Sequence, residues 1–221
     1  SCTADACDAA HDGCWHATLA DGAPCDDGES CTGGDMCTAG GCASGKSVSL
    51  WTVAATGPVP GILRGLVAGP AGPVACGSAS GNPWLGARSW DGTALWERVF
   101  DAGGSGSALA LAPIEDQVGG KVLGYVTTGI LGVPGNSQDV WLARTGIGGD
   151  VLWQKTFGGK SADRGEAVVA QAGAVVVAGT SQSKGEGQDD VWVIATDSDG
   201  QYAWDATFGG SGSDGAYGIA A

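Results

Sequence analysis

Residues 151–159 read VLWQKTFGG, residues 202–210 read YAWDATFGG, and residues 94–104 read ALWERVFDAGG. Each is an amphipathic strand pattern running into a glycine turn. The same stretch is therefore written three times, with Trp96, Trp153 and Trp204 separated by 57 and then 51 residues. Self-similarity at such a period is the mark of a repeat architecture.

The copies extend outward from this stretch. Trp84, Trp141 and Trp192 stand 12 residues before Trp96, Trp153 and Trp204, and Phe100, Phe157 and Phe208 follow the second tryptophans by four. An earlier half-copy, SLWTVAATG, carries Trp51 but no phenylalanine. In the third copy, residues 165–171, 174–180, 190–196 and 202–208 read as strands, being rich in Val, Ile and aromatics. Turn-forming residues separate them. AVVVA and VWVIA are apolar almost throughout, so both sheet faces should be covered. Short connections favour antiparallel meanders.

Four-stranded sheets packed face to face at regular spacing describe a β-propeller. The tryptophans suit the space between such sheets, because an indole buries a large area. The expected fold is all-β: a disulfide-rich, loop-dominated module over residues 1–46, then a partial propeller of about three and a half four-stranded blades over residues 47–221. Single strands in SLWTVAA (49–55) and GAYGIAA (215–221) supply the half. Uncovered end faces invite association, with the remainder of a longer chain or with other copies. The chain opens on Ser1 rather than methionine and shows no signal peptide, and it reads as a mature or excised piece.

Asp163, Ala167, Val176, Ala178, Gly179, Thr180, Ser183, Asp190, Trp192, Asp197, Gly200, Trp204, Phe208, Gly209 and Gly210 form a pattern. It resembles the secreted bacterial seven-bladed-propeller-type repeats, whose units end in W-x-x-x-F-G-G. The similarity covers residues 48–221 and is strongest from Asp139 onward. It departs at SGSALALAP, which lacks the aspartate, and at Asn82, where later copies have Asp139 and Asp190. The resemblance implies a secreted or surface-exposed propeller in a modular chain, and no particular reaction.

Cysteine usage divides the chain. Cys2, Cys7, Cys14, Cys25, Cys31, Cys37 and Cys42 all precede residue 43, in a segment almost without aliphatic residues. Such a segment needs disulfides or metal to hold a fold. Zinc has candidate ligands in His11, Cys14 and His16, but the paired C-x₂-C knuckles of zinc modules are missing, so disulfides are favoured. Disulfides in turn imply an oxidising compartment. Cys25, Asp26, Asp27, Gly28, Cys31, Thr32, Asp35, Cys37, Gly41 and Cys42 resemble a unit of the cysteine-rich repeats of large secreted bacterial proteins. Cys2, Cys7 and Cys14 resemble the end of a preceding unit. The odd count leaves either an upstream cysteine or Cys76 as the missing partner. PVACGS reads as a core strand, which makes Cys76 a small buried hydrophobe.

The chain has 10 basic and 24 acidic residues, for a net charge of −14. That argues against nucleic acid, because phosphate binding needs clustered Lys and Arg, and disfavours an anionic membrane surface. No apolar run approaches the roughly 20 residues of a membrane span. The 42 glycines and 43% hydrophobic residues fit many short strands joined by glycine turns.

Motifs for chemistry are sparse. No histidine occurs after residue 16, which removes Ser-His-Asp and Cys-His catalysis from the repeats. Paired carboxylates could stand in a central channel, but the acids recur with the repeat, as structural residues do. Asp197 and Asp199 in DSDG offer calcium-type oxygens without the other ligands of a calcium loop, so a tight hairpin turn is the favoured reading. Asp139 and Asp190 are expected to cap a turn through side-chain hydrogen bonds, and Asp163 and Asp214 to do the same after FGG. GKS at residues 45–47 lacks the P-loop spacing. The expectation is a non-enzymatic extracellular or cell-surface component, structural, adhesive or scaffolding, with no cofactor beyond the calcium candidate. The alternative is the glycan-recognising part of a secreted hydrolase, with Trp90, which breaks the repeat, as the contact.

Overall fold

The computed structural model describes residues 3–8, 13–25, 32–33, 36–39, 41–43, 46–47, 61–101, 103–116, 120–134 and 137–220. Among them the regular elements are all β-strands. The chain divides into two compact units, Ser1–Ala54 and Ala55–Ala221.

In the first unit, β1 (Thr3–Asp8) pairs antiparallel with β2 (Gly13–Thr18), setting Cys7 opposite Cys14. β3 (Thr32–Gly33) pairs with β6 (Lys46–Ser47), and β4 (Met36–Thr38) with β5 (Gly41–Ala43). Cys25 and Cys42 form a disulfide, and Cys37 is also disulfide-bonded and buried. The staple does here what an aliphatic core does elsewhere. Cys2, Cys31 and His11 lie outside the described residues, as do the side chains of Cys7, Cys14 and His16.

The second unit holds three four-stranded antiparallel meanders. The first is β7 (Gly61–Gly69), β8 (Gly72–Ala79), β9 (Asn82–Arg88) and β10 (Ala94–Val99). The second is β11 (Gly106–Glu115), β12 (Val122–Gly132), β13 (Gln138–Gly146) and β14 (Val151–Phe157). The third is β15 (Asp163–Gln171), β16 (Ala174–Ser181), β17 (Asp190–Asp197) and β18 (Tyr202–Phe208). Each first strand shifts register near its start, at Leu63/Gly65, Ala108/Ala110 and Gly165/Ala167, and β11 shifts again at Ile114/Glu115. Such bulges bend a strand and increase its twist.

The alternation of side chains along a strand explains how the middle sheet serves two neighbours. On β13, Trp141 and Ala143 join a core with Val74, Cys76, Leu85 and Ala87 of the first sheet. Val140 and Leu142, pointing the other way, join Val175, Val177, Trp192 and Ile194 of the third. The apolar run of this strand therefore reflects burial on both faces. Each enclosed indole removes on the order of 200 Å² from water, a gross gain of about 5 kcal/mol before entropy. Cys76 is an unpaired thiol buried in the first of these cores, as its sequence context implies.

Two expectations fail. Residues 215–220 form no strand: beyond Asp214, Ala216 N–H bonds to Gly179 O at 3.4 Å, and a strand needs a ladder of such bonds. The wedge role of the tryptophans also stops at the third sheet. Phe100 is 2% exposed and Phe157 half-buried, but Phe208 is 59% and Trp204 50% exposed. The face of β18 that carries them has no sheet against it among the described residues. SLWTVAA, with Trp51, lies outside those residues.

Candidate functional site

The sheets interlock through one contact used twice. Trp96 lies against Gly149, where a Cβ would fall 2.5 Å from ring carbon Cε3. Trp153 lies against Gly200, where a Cβ would fall 2.9 Å from the same ring atom. Both glycines sit in the turn between the third and fourth strands of the next sheet, at φ of +82° and +72°. Glycine is required twice over, by the left-handed backbone and by the indole above it. Polar bonds tighten the contact. Arg98 Nε donates to Gly149 O at 2.8 Å, and Arg144 Nη1 and Trp153 Nε1 donate to Ser198 O at 2.7 and 3.0 Å. Phe100 meets Trp141 edge-on, with ring centroids 4.8 Å apart. Sequence reasoning placed Gly200 in the repeat pattern without giving it this role, although the signal exists: Gly92, Gly149 and Gly200 each stand four residues before a second tryptophan.

The first tryptophan of each later copy is fixed by the strand beside it. Trp141 Nε1 donates to Gln154 Oε1 at 3.3 Å, and Trp192 Nε1 to Asp205 Oδ2 at 2.7 Å. The Tyr202 hydroxyl also donates to Asp205. That bond, and then the one from Trp192, holds the Asp205 carboxyl below the usual carboxylate range. Trp84, the equivalent in the first sheet, is only half-buried, its ring packed over Gly86.

Trp90 is 60% exposed on the turn between β9 and β10, closed by Gly92 N–H to Ser89 O at 2.9 Å and Ser89 N–H to Thr93 O at 2.8 Å. The Ser89 hydroxyl donates to Asp91, whose carboxyl is lowered to about 2 by that bond first and by Thr93 N–H second. The glycan candidate is thus accessible, on a well-made turn.

The aspartates fall into two kinds. Asp163 Oδ2 accepts Gly159 N–H at 2.9 Å and Asp214 Oδ2 accepts Gly210 N–H at 3.0 Å, so both cap the FGG turn as expected. Asp163 also accepts the Ser181 hydroxyl. Asp190 does not cap a turn. It is buried, and its Oδ2 has no hydrogen-bond partner. Gly209 separates it from Asp214: a Cβ there would lie 2.2 Å from Asp190 Oδ1 and 2.7 Å from Asp214 Oδ2. Gly158 stands likewise between Asp139 Oδ1 and Asp163 Oδ2, at 2.4 and 2.8 Å.

Asp197 Oδ1 accepts the N–H groups of Asp199 and Gln201, each at 2.9 Å, which is the hairpin-turn use of this residue. Among the described residues no three His, Cys, Asp or Glu side chains converge as a metal site. A cleft of about 530 Å³ is lined by Ala112, Pro113, Glu115, Asp116, Val169 and Gln171. Asp116 Oδ1 there accepts Lys121 N–H at 3.0 Å, tying that acid to its own turn. No family model matches the chain, and no curated protein matches it.

Proposed function

We propose that the three meanders are consecutive blades of a partial β-propeller, and that the chain is an extracellular structural, adhesive or binding scaffold of a bacterial surface. The observation that carries this reading is the repeated indole-on-glycine lock, which spends the most distinctive residues of the repeat on joining sheets. The strand placement supports it: β11 lies over β7, β8 and β9, and β15 over β11, β12 and β13, so the first strands gather on one side as in a propeller. The Cys25–Cys42 disulfide fits an oxidising compartment. Asp163, Asp197 and Asp214 hold turns of the fold through their carboxylates, as residues that recur with a structural repeat do.

The resemblance to secreted bacterial propeller repeats and cysteine-rich repeats points the same way. Protease shaving of intact cells that make the protein should release it; confinement to a reducing cytoplasm would overturn the reading. A second reading, glycan recognition, is favoured by the exposed indole of Trp90. It predicts quenching of tryptophan emission by a surface polysaccharide, lost in Trp90→Ala.

A further inference from the structure

The loop before β17 and the segment after β18 enclose a carboxylate that no donor among the described residues answers. Asp190 is 2% exposed, and its Oδ2 is buried without a hydrogen-bond partner. Two glycines let the backbone close around it. A Cβ at Gly185 would collide with Asp190 Oδ2, and one at Gly209 would collide with Asp190 Oδ1. The Gly209 position faces Asp214 Oδ2 as well, at 2.7 Å. Two acids therefore meet at one glycine, and one of them is out of water. Such a pair calls for a counter-charge.

No basic side chain supplies it. The ion pairs among the described residues are Arg88–Glu97, Arg98–Asp150 and Arg164–Glu166, all elsewhere. Lys184, on the same loop, has its ammonium over the Trp192 ring, 5.8 Å from the centroid. Asp214 is exposed, and its Oδ2 takes one bond, from Gly210 N–H. The preceding copy closes the same arrangement with protein groups. There Gly158 stands between Asp139 and Asp163, and Asp163 gives its other oxygen to the Ser181 hydroxyl of the paired strand. Among the described residues no hydroxyl serves Asp214 in this way.

The two loops are already pinned to each other. Asp214 N–H donates to Asp189 O at 2.7 Å, Gln188 N–H to Gly212 O at 3.3 Å, and the Ser213 hydroxyl to Asp189 Oδ2 at 3.2 Å. Gly187 brings further carbonyls close, since a Cβ there would lie 2.6 Å from Gly210 O and 2.9 Å from Ser211 O.

We propose that Asp190 and Asp214 bind a calcium ion beside Gly209, with water and carbonyl oxygens of the two loops as the remaining ligands. Calcium suits the site because it takes carboxylates, carbonyls and water together in flexible geometry. Two carboxylates rather than three or four make the binding weak, with Kd on the order of 0.1–1 mM, as in extracellular calcium modules. The position is distinct from Asp197 and Asp199, where Asp197 Oδ1 is spent on two N–H groups. Bound calcium ties the loop before β17 to the segment leaving β18. The site does not depend on whether the chain is a scaffold or a glycan binder.

Calcium titration of the whole chain at constant ionic strength, starting from buffer stripped of divalent cations, tests it. NMR follows the amides of Gly185, Gly209 and Gly210, and urea denaturation follows stability. The three amides should shift on one saturable curve, and the urea midpoint should rise with it. Asp190→Asn and Asp214→Asn should each weaken binding at least about tenfold. Asp199→Asn should bind as the wild type does, and near-UV circular dichroism confirms that every variant is folded. Absence of a saturable shift at those glycines overturns the proposal. So does a response kept in both folded Asp190→Asn and Asp214→Asn, or one lost in Asp199→Asn. An equal gain in stability from sodium chloride at matched ionic strength would reduce the effect to screening of the −14 net charge, and overturns it too.

Discussion

Trp153 and Gly200, 47 residues apart, meet across the second sheet interface, with the indole N–H of Trp153 bonded to Ser198 O at 3.0 Å. The same pairing of Trp96 with Gly149 joins the first two sheets. A strand motif legible in one dimension thus becomes a joint only through a glycine four residues before the next copy of that motif.

The joint is sensitive to a single methyl group. Gly149→Ala should cost about 2–4 kcal/mol, combining a strained left-handed backbone with overpacking against the Trp96 ring. Gly173 has the same φ of +82° with nothing near its missing Cβ, so Gly173→Ala should cost only about 1 kcal/mol. Urea denaturation of the two variants isolates the ring contact. Equal losses would show that the indole does not fill the seat.

The two kinds of aspartate should respond oppositely to neutralisation. Asp163→Asn removes a carboxylate that takes bonds from Gly159 N–H and the Ser181 hydroxyl, and should cost about 1.5–3 kcal/mol. Asp190→Asn relieves a buried carboxylate oxygen with no partner, facing Asp214 across Gly209, and should raise stability by about 1 kcal/mol. The first copy already has Asn82 at this position, and Gly106, which pairs with Leu131 as Asp163 pairs with Ser181, where the facing aspartate would be. Chemical denaturation at neutral pH without divalent cations reads both signs.

Burial pushes the Cys76 thiol from 9.0 to about 12, beyond what its hydrogen-bond interactions with Gly65 and Thr127 offset. The folded state therefore keeps its proton after the unfolded chain has lost one. This contribution is whole below pH 9 and declines between pH 9 and 12, by at most about 1.4 kcal/mol per pH unit. Cys76→Ala should flatten that part of the stability profile. Native Cys76 should also resist thiol reagents until the chain unfolds; rapid labelling of folded protein would contradict its burial.

The first unit depends on its staple. Replacing Cys25 and Cys42 by serine removes a link across 17 residues, worth about 3 kcal/mol. Limited proteolysis should then cut within residues 1–54 much faster, while residues 61–220 keep their resistance. Loss of protection in both units would show that the sheets need the disulfide.

Much of this was legible in the sequence because burial on both faces leaves a dense apolar signal. The third copy was expected at 165–171, 174–180, 190–196 and 202–208, and its strands run Asp163–Gln171, Ala174–Ser181, Asp190–Asp197 and Tyr202–Phe208. The apolar pattern of 215–220 was equally strand-like, but pattern cannot supply the neighbour that a ladder needs. Asp190 misled for a related reason. Its position at the head of β17 suggests a cap, while its true surroundings, Gly185 and Gly209, are set by loops and by the next segment of chain. The seats at Gly149 and Gly200 became visible only when one copy was laid against the next.

Hydrogen exchange of the indole N–H groups, read by NMR one tryptophan at a time, tests the wedge arrangement most directly. Trp153 and Trp192, bonded to Ser198 O and Asp205 and enclosed between sheets, should exchange orders of magnitude more slowly than Trp204 in the monomeric chain. Trp153 and Trp192 exchanging as fast as Trp204 would mean that the tryptophans do not hold the sheets together.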